Sequence, residues 1–188
     1  MSSDLTAGFP LSGQLPAGFR AGIGYDIHRL VKGRPLVLGG IEIPFEKGLL
    51  GHSDADVLVH AACDAVLGAA GLGDLGEHFP DTDPKYAGIY SLELLAETVA
   101  MIKEKGWTVN NLDATVFAQQ PKLGAYKLPM AEKLATVLET GIDAVNIKAT
   151  TTENLGLVGT GEAMAAMCIV LIRSESPVKF APDGPHGA

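Results

Sequence analysis

Cysteine is scarce: Cys63 and Cys168 are the two thiols in 188 residues. Two thiols cannot build a disulfide framework or an all-cysteine metal site, and they fit a reducing compartment. The expected location is therefore cytoplasmic. Positive charge is also short, since 14 Lys and Arg against 22 Asp and Glu leave a formal charge of −8. That balance argues against nucleic acid or an anionic membrane as partner. A phosphate-bearing ligand would need local help from metals, helix N-termini or single lysines. No apolar run approaches the roughly 18 residues of a membrane span. The first twenty residues lack a basic stretch followed by an apolar core, so they read as a loose tail rather than a signal peptide. No G-x-x-x-x-G-K-[ST] is present, the GTGE at 159–162 does not replace it, and no nucleophile elbow occurs.

What is present is ordinary globular protein, 47% hydrophobic and 19% charged, long enough for one domain. Residues 21–30 read as a strand, and 35–45 as a hairpin around Gly39-Gly40. Ser53 is a plausible N-cap for a helix from about Asp54 to Ala70, with acidic residues in its first turn. The GLGDLG that follows, 71–76, has the G-x-G-x-x-G form but closes a helix instead of opening one, so it is not a dinucleotide fingerprint. Ser91 is expected to cap a second helix ending at Gly106, with a strand at 112–118 behind it. A third helix is predicted at 126–139 and a strand at 145–149. The apolar run 163–173 predicts a strand buried on both faces. The expectation is a single two-layer α/β domain over 21–173, a mixed sheet with helices packed on one face. Residues 1–20 and 174–188 are read as flexible tails.

Reactive side chains concentrate in two places. In GHSDADVLVHAACD, 51–64, His52, Asp56, His60 and Asp64 recur every four residues, a drifting stripe if the segment is helical. Asp26 and His28, two apart on a strand, share a face and offer a metal one oxygen and one nitrogen. The pair also fits a strand end with two solvated polar residues. On a helix rising about 1.5 Å per residue, His52 and His60 stand roughly 12 Å apart. One zinc ion, with ligands at about 2 Å, therefore takes one of them and leaves the other a different task. Thr150-Thr151-Thr152-Glu153 supplies hydroxyls and a carboxylate suited to a hard cation such as Mg2+ beside phosphate oxygens. Asp74, Asp81 and Asp83 lie in a turn-rich loop and are candidates for binding hydroxyl groups.

DIH at 26–28, GHSDAD at 51–56 with His60, GDLG at 73–76, FPDTDP at 79–84 and TTTE at 150–153 resemble, in order and spacing, the 2-C-methyl-D-erythritol 2,4-cyclodiphosphate synthase family. The resemblance covers roughly residues 20–173. It implies a homotrimer with active sites between subunits, and one Zn2+ per subunit on Asp26, His28 and His60. His52 and Thr151 match the family's transition-state-stabilising pair, and Glu153 the ligand of a Mg2+ or Mn2+ carried with the substrate. Asp26, Ile27, His28, His52 and Ser53 match substrate contacts. So do Asp74, Leu75 and Gly76, the run Phe79, Pro80, Asp81, Thr82 and Asp83, then Thr150, Thr151, Thr152, Glu153 and Leu157. Ala118, Gln119, Gln120, Pro121, Lys122, Leu123 and Gly124 match the loop that holds cytidine from a neighbouring subunit.

The implied reaction turns 4-diphosphocytidyl-2-C-methyl-D-erythritol 2-phosphate into the cyclic diphosphate with loss of CMP, in non-mevalonate isoprenoid biosynthesis. Several positions depart from the family pattern. Thr160 stands where an Arg is common, Leu157 for a Phe, Ala163 for a Gly and Asn154 for a basic residue. In some relatives the Arg grips isoprenoid diphosphates in a central trimer cavity. Competing readings are a zinc hydrolase, with Asp56 or Glu153 as base, and a non-catalytic phosphometabolite-binding module.

Overall fold

The structure is a computed structural model that describes residues 18–174. Strand β1 (Phe19–Lys32) leads to a two-stranded hairpin, β2 (Leu36–Leu38) and β3 (Ile41–Ile43), and to β4 (Lys47–Leu49). Helix α1 (Val57–Ala70) and the single turn α2 (Leu75–His78) come next, then α3 (Ser91–Glu104) and β5 (Trp107–Phe117). The chain continues through α4 (Lys127–Val137), β6 (Val145–Thr150), the short α5 (Gly156–Gly159) and β7 (Ala163–Ser174). The main sheet runs β4-β1-β7-β5-β6, and only β5 and β6 pair in parallel. Helix α1 lies on β1 and β7, α4 on β6, and α3 packs on α1, β5 and α4, so the expected two-layer arrangement is present.

Helix α1 is the centre of the core. Every residue in it except Asp64 and Gly68 is buried, as befits a helix covered by the sheet below and α3 above. Each fully buried leucine or isoleucine, such as Leu58, Leu95 and Ile102, contributes about 1.5–3 kcal/mol. Strand β1 approaches α1 closely because Gly22 and Gly24 face it. A Cβ on them would lie 2.0 Å from the carbonyl oxygens of Ala65 and Ala61. Asp26 and His28 are the next inward positions of that strand, so close packing at the glycines sets them beside α1.

The turn Gly39-Gly40 has φ of +57° and +72°, the left-handed pair that a tight hairpin needs. The described fold extends past the expected domain at each end, since Phe19 and Arg20 belong to β1 and Ser174 to β7. The remainder of both expected tails lies outside the described residues.

Three local expectations are corrected. Helix α1 begins at Val57, not Asp54, and its N-cap is Asp56, whose carboxylate accepts from Leu58 and Val59 N–H. Ser91 is the first residue of α3 and makes no cap bond, because its hydroxyl points inward. Strand β7 is not buried on both faces: Cys168, Val170 and Ile172 are covered, whereas Ile169 on the other face is exposed. Both cysteines are free and buried, and burial pushes both thiols well above their ordinary pKa.

Candidate metal centre and active-site cleft

Asp26, His28 and His60 converge at the end of the β1–α1 seam. Asp26 Oδ2 lies 3.0 Å from both His28 Nε2 and His60 Nδ1, and the two imidazole nitrogens are 3.2 Å apart. Side-chain exposures of 22%, 21% and 11% leave the cluster open on one side only. Burial works against ionising Asp26, yet hydrogen bonds with His28 and His60 outweigh it and hold the carboxyl well below the usual range. The bond with Asp26 raises His28 above its ordinary value, despite opposing burial. A carboxylate and two imidazoles so placed favour positive charge between them. Their three donor atoms lie within 4.8 Å of one another, and one oxygen plus two nitrogens with an open side suits a metal that keeps a free position. The donor set therefore fits the group expected there.

The cluster floors a cleft of about 530 Å3. Of the predicted residues, His52, Ser53, Leu75, Gly76, Phe79, Pro80 and Asp81 line it with the three cluster residues. Gly51, Asp64, Tyr86, Ile89 and Leu94 line it as well. Phe79 and Tyr86 meet edge to face at 5.4 Å, forming an apolar wall. The 51–56 loop is fastened from outside: Gly88 N–H donates to His52 O at 2.8 Å, Asp54 N–H to Ile89 O at 3.1 Å, and Arg34 Nη2 to Ser53 O at 2.8 Å. His52 itself is exposed at the rim. It sits five residues before Val57, the first residue of α1, so the spacing argument along one helix axis does not hold, although His60 is the histidine that joins Asp26 and His28. Nor is His52 at an anion-binding helix mouth, since the Asp56 carboxylate already accepts the first free N–H groups.

Asp56 and Asp64, the two carboxylates of the four-residue stripe, bond to backbone. Asp56 Oδ2 accepts from Gly40 N at 2.7 Å, and Asp64 Oδ1 from Leu75 N at 2.8 Å. Ile27 points to the opposite face of β1, while its N–H donates to Asp26 Oδ1 at 2.8 Å. Asp74 caps α2 and Asp83 caps a 3-10 turn at Pro84–Tyr86, and Thr82 is outside the cleft lining.

The other predicted segments stand apart from this cleft in the single chain. Thr150 ends β6 and Thr151, Thr152 and Glu153 follow it, with Thr151 Oγ1 donating to Glu153 Oε1 at 2.6 Å. Glu153 and Asn154 both have left-handed backbone, φ 52° and 65°, a conformation that Asn tolerates better than most residues. Loop 118–124 lies alongside: Ala118 N–H donates to Thr150 O at 3.0 Å, and Gln119 Nε2 to Asn154 Oδ1 at 3.0 Å. Gln119 and Gln120 line a separate hollow of about 230 Å3 with Lys47 and Thr160. The Gln120–Pro121 peptide is cis, Lys122 and Gly124 are exposed, and Leu123 is buried in the core. Leu157 is exposed on α5. Ser91, which meets His60 from behind, and Asp54, which holds Ser91, carried a sequence signal only as residues at helix starts and none for the site.

Fold and cluster together define a two-layer α/β protein with a three-donor site fit for a metal. Residues 19–173 match the YgbB family, and the chain belongs to it. It is 68% identical over 158 residues to the 2-C-methyl-D-erythritol 2,4-cyclodiphosphate synthase of Desulfosudis oleivorans, covering 83% of this chain and 93% of that one. The synthase of that name from Alkaliphilus oremlandii is 58% identical over 153 residues, 81% of this chain and 98% of the other. Among solved structures, the bifunctional IspDF of Campylobacter jejuni superposes with a TM-score of 0.82 at 42% identity. That match covers 87% of this chain but 44% of the bifunctional one. IspF of Plasmodium falciparum, in complex with CDP, gives 0.74 at 31% identity, covering 85% and 98%.

Proposed function

We propose that this protein is a metal-dependent 2-C-methyl-D-erythritol 2,4-cyclodiphosphate synthase acting in the non-mevalonate isoprenoid pathway. The observation that carries the reading is the Asp26–His28–His60 cluster opening into a cleft rimmed by His52. The names of the relatives support the reaction, and the CDP complex of IspF supports a cytidine nucleotide as part of the ligand.

In the reaction, an oxygen of the 2-phosphate attacks the β-phosphorus of the cytidine diphosphate arm. A new P–O–P bond forms, the bond from the β-phosphorus to the CMP oxygen breaks, and the electron pair leaves with CMP. Little proton transfer is required, so positioning and charge stabilisation supply most of the rate. Asp26, His28 and His60 would hold Zn2+, one per subunit, and Glu153 a Mg2+ or Mn2+; bound there, such cations would supply positive charge to the phosphate oxygens. His52 donates to the oxygens on which charge develops, and Thr151 offers a hydroxyl for the same purpose. Phe79, Ile89 and Leu94 in the lining would keep water from the reacting groups, and Asp81, which also lines the cleft, would bind the polyol.

One chain holds only half of this machinery, since Thr151, Glu153 and Lys122 are not in the cleft. A homotrimer in which a neighbour brings its 118–124 and 150–153 segments to the cleft completes the site. The test is paired: zinc content and CMP release for two variants. His60→Ala is expected to lose zinc and activity, and His52→Ala to keep zinc while slowing about 10²-fold. Loss of zinc from His52→Ala with retention in His60→Ala overturns the assignment.

A further inference from the structure

The two imidazoles of the cluster present opposite nitrogens to it, His28 its Nε2 and His60 its Nδ1. For His28 the backbone decides. Its Nδ1 lies 2.7 Å from Leu50 O, which can only accept, so Nδ1 carries a proton and Nε2, 3.0 Å from Asp26 Oδ2, is the nitrogen left for a metal. For His60 the deciding groups stand one step further back. His60 Nε2 is 2.9 Å from Ser91 Oγ and 3.1 Å from Ser53 Oγ. A hydroxyl can donate or accept, but Ser91 has a single proton, and the Asp54 carboxylate takes it in a short contact. Asp54 also accepts Ser91 N–H at 3.1 Å, which locks the pair. Ser91 Oγ is thereby left to accept from the imidazole. Ser53 Oγ accepts Ala55 N–H at 3.0 Å, and Ser91 Oγ, 3.4 Å away, can accept its proton.

We infer that Asp54 and Ser91 are positioning residues for His60: by accepting from Nε2–H through Ser91 they hold the proton there, so that a metal can take Nδ1 from its contact with Asp26 Oδ2 at 3.0 Å. Ser91 is 0% exposed, Ser53 8% and His60 9%, which leaves little room for water to compete for Nε2. Without the Ser91 hydroxyl, Ser53 can turn its proton toward Nε2. The tautomer protonated on Nδ1, which the Asp26 carboxylate 3.0 Å away already favours, then gains a partner at Nε2 as well, and an incoming metal must displace that proton. Ser91 thus acts on metal binding through a nitrogen the metal never touches. The inference rests on reading Asp26, His28 and His60 as a metal site.

The test uses the full chain loaded with zinc and labelled with 15N in its histidines. Imidazole nitrogen shifts are expected to report metal on Nδ1 of His60 and on Nε2 of His28. Metal on Nε2 of His60 overturns the inference, and this spectrum needs no variant. Chelator competition then reads affinity: Ser91→Ala is expected to bind zinc about 10–100-fold more weakly, with Ser91→Thr restoring most of the loss. Unchanged zinc affinity in Ser91→Ala, even with a lowered Tm, also overturns it. Wild-type protein that binds no zinc at all would instead remove the metal-site reading beneath it.

Discussion

A carboxylate buried without a cation must be satisfied by N–H groups, and both aspartates of the α1 region are. Asp56, fully buried, is raised in pKa by that burial, while three backbone N–H groups from Gly40, Leu58 and Val59 hold its oxygens. Asp56→Ala removes the cap of α1 and leaves Gly40 N–H unpaired, so a loss of about 2 kcal/mol or more is expected in denaturant unfolding. Asp64, half-buried in the cleft wall, is also raised, chiefly by burial and against the Leu75 N–H bond. A carboxyl whose folded pKa lies above its unfolded value stabilises below the unfolded pKa and loses that contribution as pH rises through the folded one. In the metal-free protein, Asp64→Asn keeps an acceptor for Leu75 and has no charge to bury. Its stability relative to wild type should therefore rise between about pH 3 and pH 7. A difference that is flat or falls over that range contradicts the burial argument. At this scale residue type was legible and partner was not. The stripe of His52, Asp56, His60 and Asp64 marked the right segment, but nothing local says that Asp56 faces Gly40, sixteen residues earlier in the chain.

Elements position the cluster through one seam. With Gly22 and Gly24 against α1, the backbone of β1 comes close enough for Asp26 to reach His60. Gly24→Ala would put a methyl 2.0 Å from Ala61 O, with backbone on both sides and nothing able to give way. The expected result is a destabilisation of about 3 kcal/mol or more together with weakened zinc binding, read by thermal unfolding and metal content. A variant of wild-type stability and full metal content would show that the seam does not set the cluster. Most strands and helices could be read from periodicity, and the Gly39-Gly40 hairpin from its turn chemistry. The start of α1 could not. Ser53 and Asp56 are both good caps by type, and the choice between them is made at long range, where Ser53 packs on His60 and Ser91. The same holds for β7: an unbroken apolar run records how much can be buried, not whether a cover for the second face belongs to the same chain.

At the scale of the molecule, one face of the sheet has no cover among the described residues. Ile23 and Phe19 on β1 are 64% and 59% exposed, and Tyr25, Ile27 and Ile169 stand on the same side, Ile23 paired with Ile169. In the proposed homotrimer, this apolar face is where copies of the chain would associate. Ile23→Asp is expected to lower the mass in sedimentation from three chains toward one and to abolish turnover. If sites form between subunits, mixing inactive His52→Ala and Glu153→Ala proteins after dissociation should restore about a quarter of the activity, because random pairing leaves that share of sites intact. No recovery would place both groups in one chain's site. The central claim, intramolecular closure of a diphosphate ring, has the most direct test. Metal-loaded protein with the proposed substrate and Mg2+ in 18O-labelled water should give CMP and the cyclic diphosphate by 31P NMR, with no solvent oxygen in either product. An open-chain phosphate carrying 18O would make the protein a hydrolase, and unchanged substrate a binding module; either result contradicts the account.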